Sequence, residues 1–273
     1  MKVLDSVFAK QFIQLCANGY ARGWHERNGG NLSYRMSAEE VASIREELNL
    51  NALYQPIGAT IPNLSDEYFM VKCTGAYMRN VPLDPAHNIG IIHLDRKGAN
   101  YQIVWGMEGG MKPTSELPSH LMNLGVLKTR TNSAYRVVYH CHPANTIALT
   151  FVLPLDSKTF SRYLWQMMTE CPIIFPAGVG VVPWMVPGGE EIAKATSKLM
   201  ETYDAAVWAH HGIFVSGPDF DSAWGLAEAI EKSAEILIKV LSIGGIKQTI
   251  TDEDILKLEA PYHVHINREF INK

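Results

Sequence analysis

The segment YHCHPANTIALTF, Tyr139 to Phe151, sets His140 and His142 one residue apart, just after the apolar run Val137, Val138 and Tyr139. In an extended strand residues i and i+2 face the same way, so the two imidazoles share one wall while Cys141 turns to the other. Paired neutral imidazoles are a common start to a zinc site, although H-x-H also arises by accident. A second pair with this spacing, His263 and His265, falls beyond the final predicted helix, where chain ends fray, and is read as surface. A catalytic zinc takes three protein ligands and keeps one position open. The segment AVWAHHGIFVSG offers His210 and His211 at the end of the buried run AAVWA. Only one of them can face the first pair if that strand is regular, which leaves the other to packing or support.

A carboxylate stands in a second segment, PTSELPSHL, Pro113 to Leu121. Thr114 or Ser115 is a natural helix N-cap, which puts Glu116 in the first turn near the positive helix end, and Pro118 is tolerated there. A plainly capped helix accounts for this as well as an acid/base role does. His120, four residues on, shares the face of Glu116 and either orients it or packs. Two loops could hold an anion. In ERNGGNLSYR, Asn28, Gly29, Gly30 and Asn31 directly precede a strand; in KCTGAYMRN, Thr74 and Gly75 follow one. Glycines let backbone N–H groups approach an oxyanion, and turn chemistry explains both loops equally well.

These segments need a frame. The apolar periodicity predicts strands at 31–36, 67–73, 89–95, 101–106, 136–142, 205–210 and 213–216. Helices are expected near 5–23, 115–128, 143–152, 157–169, 188–203, 218–243 and 252–260, the first capped by Asp5 or Ser6. The 89–95 and 101–106 strands are joined by a turn with Gly98, too short for a crossover, so they pair antiparallel. The expected fold is a three-layer α/β/α domain with a mostly antiparallel central sheet. The clusters at 51–65 and 107–114 are too short to be linkers, and nothing repeats, so residues 1–273 are read as a single domain.

The 273 residues are 47% hydrophobic with a formal charge of −4, and the pI is about 6.2. Without a Lys/Arg block, this excludes a nucleic-acid or anionic-membrane surface and points to a small-molecule partner. Asp5 and Lys10 interrupt the first apolar stretch, so it is not a signal peptide. The run 171–187 is broken by Pro172, Pro176, Gly178, Gly180 and Pro183, so it spans no bilayer. Four cysteines in a chain this long make no disulfide scaffold, and reduced thiols in a cytoplasm are expected.

In order and spacing, G-N-x-S-x-R (Gly30 to Arg35), T-G (Thr74, Gly75), T-S-E (Thr114 to Glu116), H-x-H (His140, His142) and H-G (His211, Gly212) resemble the class II aldolase/adducin family. The resemblance extends from about Gly23 to Ile250, including GWHERNGGNLSYR, TECPIIFPAGVGVVPWMVPG and SIGGIKQTI, which look closest to aldolases that split a ketose 1-phosphate. It implies one Zn2+ per chain on His140, His142 and His211, and an acid/base carboxylate at Glu116 that can also ligate the resting metal. It further implies a phosphate pocket of Gly30, Asn31, Thr74, Gly75, Thr114 and Ser115, with Asn28 adjacent. The implied substrate is a sugar phosphate and the implied assembly a homotetramer with sites near subunit boundaries, where Glu170 from a neighbour has a possible supporting role. Thr74 stands where many members carry Ser, and the hydroxyl survives. The epimerase branch usually has Asp at the Glu116 position, which tells against it. The 170–188 segment, with Pro172, Phe175, Val182, Trp184 and Met185, is expected to line the aldehyde end of the substrate.

Rival chemistries fit less of the chain. A Schiff-base aldolase would use a buried lysine, for which Lys72 is the candidate, and would leave the histidines unexplained. A three-histidine zinc hydrolase would use the metal to make hydroxide. A cupin expects a Glu soon after H-x-H, whereas no acid follows His142 until Asp156. A non-catalytic adducin-like interaction domain would not need three histidines and Glu116.

Overall fold

A computed structural model describes residues 1–272. The β-branched and aromatic runs form β1 (Asn31–Arg35), β2 (Gln55–Pro56), β3 (Tyr68–Lys72), β4 (Ile89–Leu94), β5 (Asn100–Gly106), β6 (Val137–Cys141), β7 (Gly180–Val182), β8 (Ala205–Trp208) and β9 (Gly212–Gly217). They join in one sheet, in the order β2-β5-β4-β3-β1-β6-β9-β8-β7. Only the β7–β8 pair is parallel, and the β4–β5 pair is antiparallel as expected.

Strand alternation sorts the side chains onto two faces. Leu32, Tyr34, Val137, Tyr139, Cys141, Ile213 and Val215 enter one core with Phe8 and Phe12, Phe160 and Leu164, and Ile230 and Leu237. Those partners lie on helices Val7–Ala21, Ser157–Met167 and Phe220–Ser242. On the other face Val138 and Phe214 pack against Leu117, Leu121, Leu124 and Ile192, from helices Leu117–Arg130 and Glu190–Leu199. These are the three layers that the sequence predicts.

Register then places the chemistry. Asn31 lies opposite His140 and His140 opposite Phe214, and cross-strand partners share a face. Both polar residues therefore look toward the layer that contains helix Leu117–Arg130.

Several boundaries differ from expectation. β6 ends at Cys141 and β8 at Trp208, so His142, His210 and His211 lie on turns and not on strands. Helix Leu117–Arg130 begins one residue after Glu116, which holds the N-cap position with φ −91° and ψ 14°. The predicted 252–260 helix is divided into Asp252–Lys257 and Glu259–Tyr262. β2, β7 and helix Ala38–Ser43 were not expected; the last is set by a capping box between Ser37 and Glu40. Residues 267–270 are tied back to the domain: Arg162 Nη1 donates to Phe270 O at 2.5 Å, and Asn267 N donates to Pro176 O at 2.9 Å. His263 and His265 remain exposed. Ser6 caps the first helix, its Oγ accepting from Ala9 N at 3.2 Å. All four cysteines are free and buried, and no described helix is long and apolar enough to cross a membrane.

Candidate active site

At the end of β6 the backbone changes direction as His142 N donates to Trp24 O at 3.0 Å. The two imidazoles still converge, their Nε2 atoms 3.3 Å apart. His211 comes from the β8–β9 turn, where His210 takes a left-handed φ of 61°. Thr150 Oγ1 holds that turn by accepting His210 N at 3.0 Å. The strained residue is His210, which turns outward and packs at a tilt against Phe151 with ring centroids 4.2 Å apart, while His211 faces the pair. Gly212 is needed beside it, because a Cβ there would collide with Cys141 O and come within 2.8 Å of the His142 ring. One ligand nitrogen from each of His140, His142 and His211 falls within 4.8 Å of the others.

The protons on these rings decide what the cluster can hold. His140 Nδ1 lies 2.9 Å from Ile213 O, a bond that only an Nδ1–H can make. His142 Nδ1 lies 2.7 Å from Glu26 Oε1, and this carboxylate likewise requires Nδ1–H. Each ring then presents a bare Nε2 lone pair to the other, an arrangement that repels unless a cation lies between them. Burial also holds His140 far below the usual imidazole pKa, and burial followed by the neighbouring His142 lowers His211 to about 4. Rings whose Nδ1 atoms are turned outward to a carbonyl and a carboxylate, with their Nε2 atoms converging, fit a bound metal.

Glu116 stands beside the cluster, its Oε2 3.7 Å from His140 Nε2. Burial raises its pKa, against the lowering effects of the Asn31 hydrogen bond, His142 and Lys72. Asn31 Nδ2 donates to Glu116 Oε2 at 2.8 Å, and Asn31 Oδ1 accepts from His120 Nε2. His120 Nδ1 accepts from Ser33 Oγ at 2.6 Å. His120 thus orients the carboxylate through Asn31, without touching it.

These groups line a cavity of about 130 Å³ formed by Asn28, Gly29, Gly30, Asn31, Lys72, Thr74, Gly75, Thr114, Ser115, Glu116, His140, His142 and His211. Every residue singled out in the sequence as ligand, acid/base or phosphate group is there, and Glu170 is not. Glu170 is exposed at the start of helix Glu170–Ile174. The expected apolar wall is also absent from this cavity: Pro172, Phe175 and Val182 are in the core, while Trp184 is 62% exposed. A larger groove of about 550 Å³, between helices Leu117–Arg130 and Glu190–Leu199, contains neither histidine nor cysteine.

Sequence reasoning missed three supporting groups. Glu26 is exposed and shows its role only through the bond to His142. His25 is buried beneath the glycine loop, its Nδ1 3.1 Å from Gly29 O and its Nε2 2.7 Å from the Tyr139 hydroxyl. Lys72 lines the cavity and donates from Nζ to Asn28 O at 2.9 Å. Its place just before Thr74-Gly75 is its one signal in the sequence, and that signal fits a Schiff-base lysine equally well.

Residues 10–238 match the family model described as "Class II Aldolase and Adducin N-terminal domain". The chain is 43% identical to rhamnulose-1-phosphate aldolase of Escherichia fergusonii over 256 residues, 94% of this chain and 93% of that one. It is 41% identical to the enzyme of the same name from Klebsiella pneumoniae subsp. pneumoniae, covering 96% and 95% of the two chains. Among solved structures, it is similar to a sugar-phosphate aldolase from Thermotoga maritima, with TM-score 0.76 and 29% identity over 88% of this chain and 97% of that one. An L-fuculose 1-phosphate aldolase shares the fold at TM-score 0.62 and 18% identity, over 95% and 97%.

Proposed function

The chain belongs to the class II aldolase and adducin family, and from that premise we propose that it reversibly cleaves L-rhamnulose 1-phosphate to dihydroxyacetone phosphate and L-lactaldehyde. The observation that carries this reading is the convergence of three histidines and Glu116 in one polar cavity with the glycine and hydroxyl loops. The choice of sugar rests on relatives of that name at 41–43% identity along nearly the whole chain.

His140, His142 and His211 would hold the metal, which we assign as one zinc per chain; when bound it supplies Lewis-acid stabilisation of negative charge on the ketone and hydroxyl oxygens. Glu26 and the Ile213 carbonyl keep two of the rings in the tautomer that this needs. On cleavage the C3–C4 bond breaks. The C4 hydroxyl gives its proton to solvent as it becomes the aldehyde, the bonding pair stays with C3 as an enediolate, and Glu116 takes back from solvent the proton it spends on C3. Protonated Glu116 delivers a proton to C3 to complete dihydroxyacetone phosphate, and in condensation removes it again. Its pKa, raised by burial, favours the protonated form more than in an ordinary carboxylate, as a group that holds and then releases a proton requires. Asn31 aims the carboxylate, and the hydrogen bond from His120 keeps the amide from flipping.

Gly30, Thr74, Gly75, Thr114 and Ser115, with Asn28 and the Asn31 backbone, bind the phosphate end. Fixing the substrate at this remote point positions C3 against Glu116. We read residues 1–273 as one catalytic domain that works in the cytoplasm as a homotetramer. In that assembly Glu170, and apolar groups such as Trp184 that do not reach their own cavity, would serve a neighbour's site. The test is release of dihydroxyacetone phosphate from L-rhamnulose 1-phosphate, followed by a coupled reductase. Release that chelation abolishes supports the reading; no release by metal-loaded protein contradicts it.

A further inference from the structure

We propose that His25, held by Tyr139, is a positioning residue of this site: it fixes the Gly29–Gly30 peptide so that the Gly30 N–H, and not the Gly29 carbonyl, faces a bound anion. The inference rests on the reading that the cavity takes the phosphate end of a sugar phosphate, and it gives a role to two residues that lie outside that cavity.

His25 is 3% exposed and Tyr139 is fully buried. Gly29 O, 3.1 Å from His25 Nδ1, can only accept, so the ring proton is on Nδ1. Burial, followed by His142 and Lys72, lowers His25 to about 3, so the ring is neutral and its Nε2 carries a lone pair. The Tyr139 hydroxyl lies 2.7 Å from that Nε2, and burial keeps it protonated, so it donates. The bonds therefore run one way, from Tyr139 O–H to the ring and from the ring to the Gly29 carbonyl. The pair is closely fitted: a Cβ on Gly19 would collide with the Tyr139 hydroxyl and His25 Nε2, and one on Gly30 with His25 Nδ1.

The chain contains no cis peptide bond, and in a trans peptide the C=O and the N–H point in opposite directions. With the Gly29 carbonyl drawn down to His25, the Gly30 N–H turns to the other side, toward the cavity that both glycines line and His25 does not. Gly30 is buried, and among the described residues its N–H donates to no protein acceptor. A buried N–H without a partner is unfavourable, and an anion's oxygen would satisfy it. The glycines do not hold this orientation themselves. Lacking side chains, they let the Gly29–Gly30 peptide turn over at little steric cost, and the turned form would present a carbonyl oxygen to an anion. Among the described residues His25 is the one donor to Gly29 O, so it alone holds the peptide against that rotation.

Inorganic phosphate is titrated at constant ionic strength into the metal-loaded wild type, His25→Phe and His25→Gln. The readout is the phosphate-induced shift in thermal unfolding, with zinc content measured in each protein. Phenylalanine keeps a flat ring without a donor, whereas glutamine keeps an N–H for Gly29 O. We expect His25→Phe to bind phosphate at least about tenfold more weakly, the size of one lost hydrogen bond to a charged group. His25→Gln should recover part of that loss, and both variants should retain their zinc. KM for the sugar phosphate should rise more than kcat falls. If His25→Phe does not fold, Tyr139→Phe takes its place, with a smaller loss in the same direction because the ring keeps its bond to Gly29 O. Equal phosphate responses in wild type and variants would overturn the role of His25 while leaving the phosphate loops in place. Loss of zinc together with phosphate binding would overturn it too, by making His25 a general support of the fold. A wild type that ignores both phosphate and dihydroxyacetone phosphate would overturn the phosphate reading and this inference together. Weaker phosphate binding by His25→Phe in a protein that does not turn over L-rhamnulose 1-phosphate would support the inference and remove the sugar assignment alone.

Discussion

Asn31 Nδ2 donates to Glu116 Oε2 at 2.8 Å while its own Oδ1 is held by His120 on the far side. The amide therefore has one orientation, and the carboxylate meets a donor, never an acceptor. Glu116→Gln would present an amide to an amide in a site of nearly the same shape. We expect the variant to fold and keep its metal but to lose a factor of roughly 10²–10⁴ in turnover, as for loss of general acid–base catalysis. Solvent exchange of the C3 proton of dihydroxyacetone phosphate isolates this step, and exchange at a near-normal rate would remove Glu116 from the role.

The metal assignment makes its own prediction. Purified protein should contain about one zinc per chain, as expected of a site with three protein ligands, and His211→Ala should lose both metal and activity. Retention of full zinc in that variant would show the ligand set to be wrong.

Glu26 touches no reacting atom in this account, yet it fixes the His142 tautomer from 2.7 Å away. Outer carboxylates of this kind are worth about 10–100-fold in metal affinity or activity. Glu26→Ala should weaken zinc binding within that range in a competition titration with a chromogenic chelator. Because the Glu26 side chain is 67% exposed, the fold should tolerate the change; unchanged affinity would mean that the bond is incidental.

Two buried histidines outside the ligand set make stability depend on pH. Burial lowers His25 and His120 from 6.5 to about 3 each. Between those values the unfolded chain binds protons that the folded chain refuses, so stability falls as pH drops through 6.5 toward 3. The slope is at most about 1.4 kcal/mol per pH unit for each histidine. In metal-free protein, where ligand release does not contribute, urea midpoints at pH 7 and pH 5 should diverge more for the wild type than for His25→Gln. Equal divergence would mean that His25 is not held neutral.

Much of this was readable in advance, for identifiable reasons. Leu32, Val137, Val138 and Ile213 announce their strands because both faces of these strands are covered, so that apolar residues run on consecutively, and the strand period of two puts Asn31, Ser33 and His140 on one face. His142 and His211 could be named but not placed, since both depend on turns, one set by Trp24 O and the other by a left-handed His210. The expected caps Thr114 or Ser115 place Glu116 one or two residues too far into its helix, because they are the better intrinsic caps, whereas Thr114 Oγ1 accepts from Glu116 N at 3.3 Å. β7 was invisible because three residues within a Pro- and Gly-rich run carry no period. Glu26 and Lys72 act through single long-range hydrogen bonds, for which a sequence has no spacing signature.

The most direct test of the central claim compares kcat/KM for L-rhamnulose 1-phosphate and L-fuculose 1-phosphate on the same zinc-loaded preparation. The groups that carry the chemistry serve either sugar, and an apolar pocket discriminates one methylene or hydroxyl by only about 1–3 kcal/mol. The account predicts a preference for L-rhamnulose 1-phosphate of about 10-fold or more on that scale. A clear preference for L-fuculose 1-phosphate would contradict it.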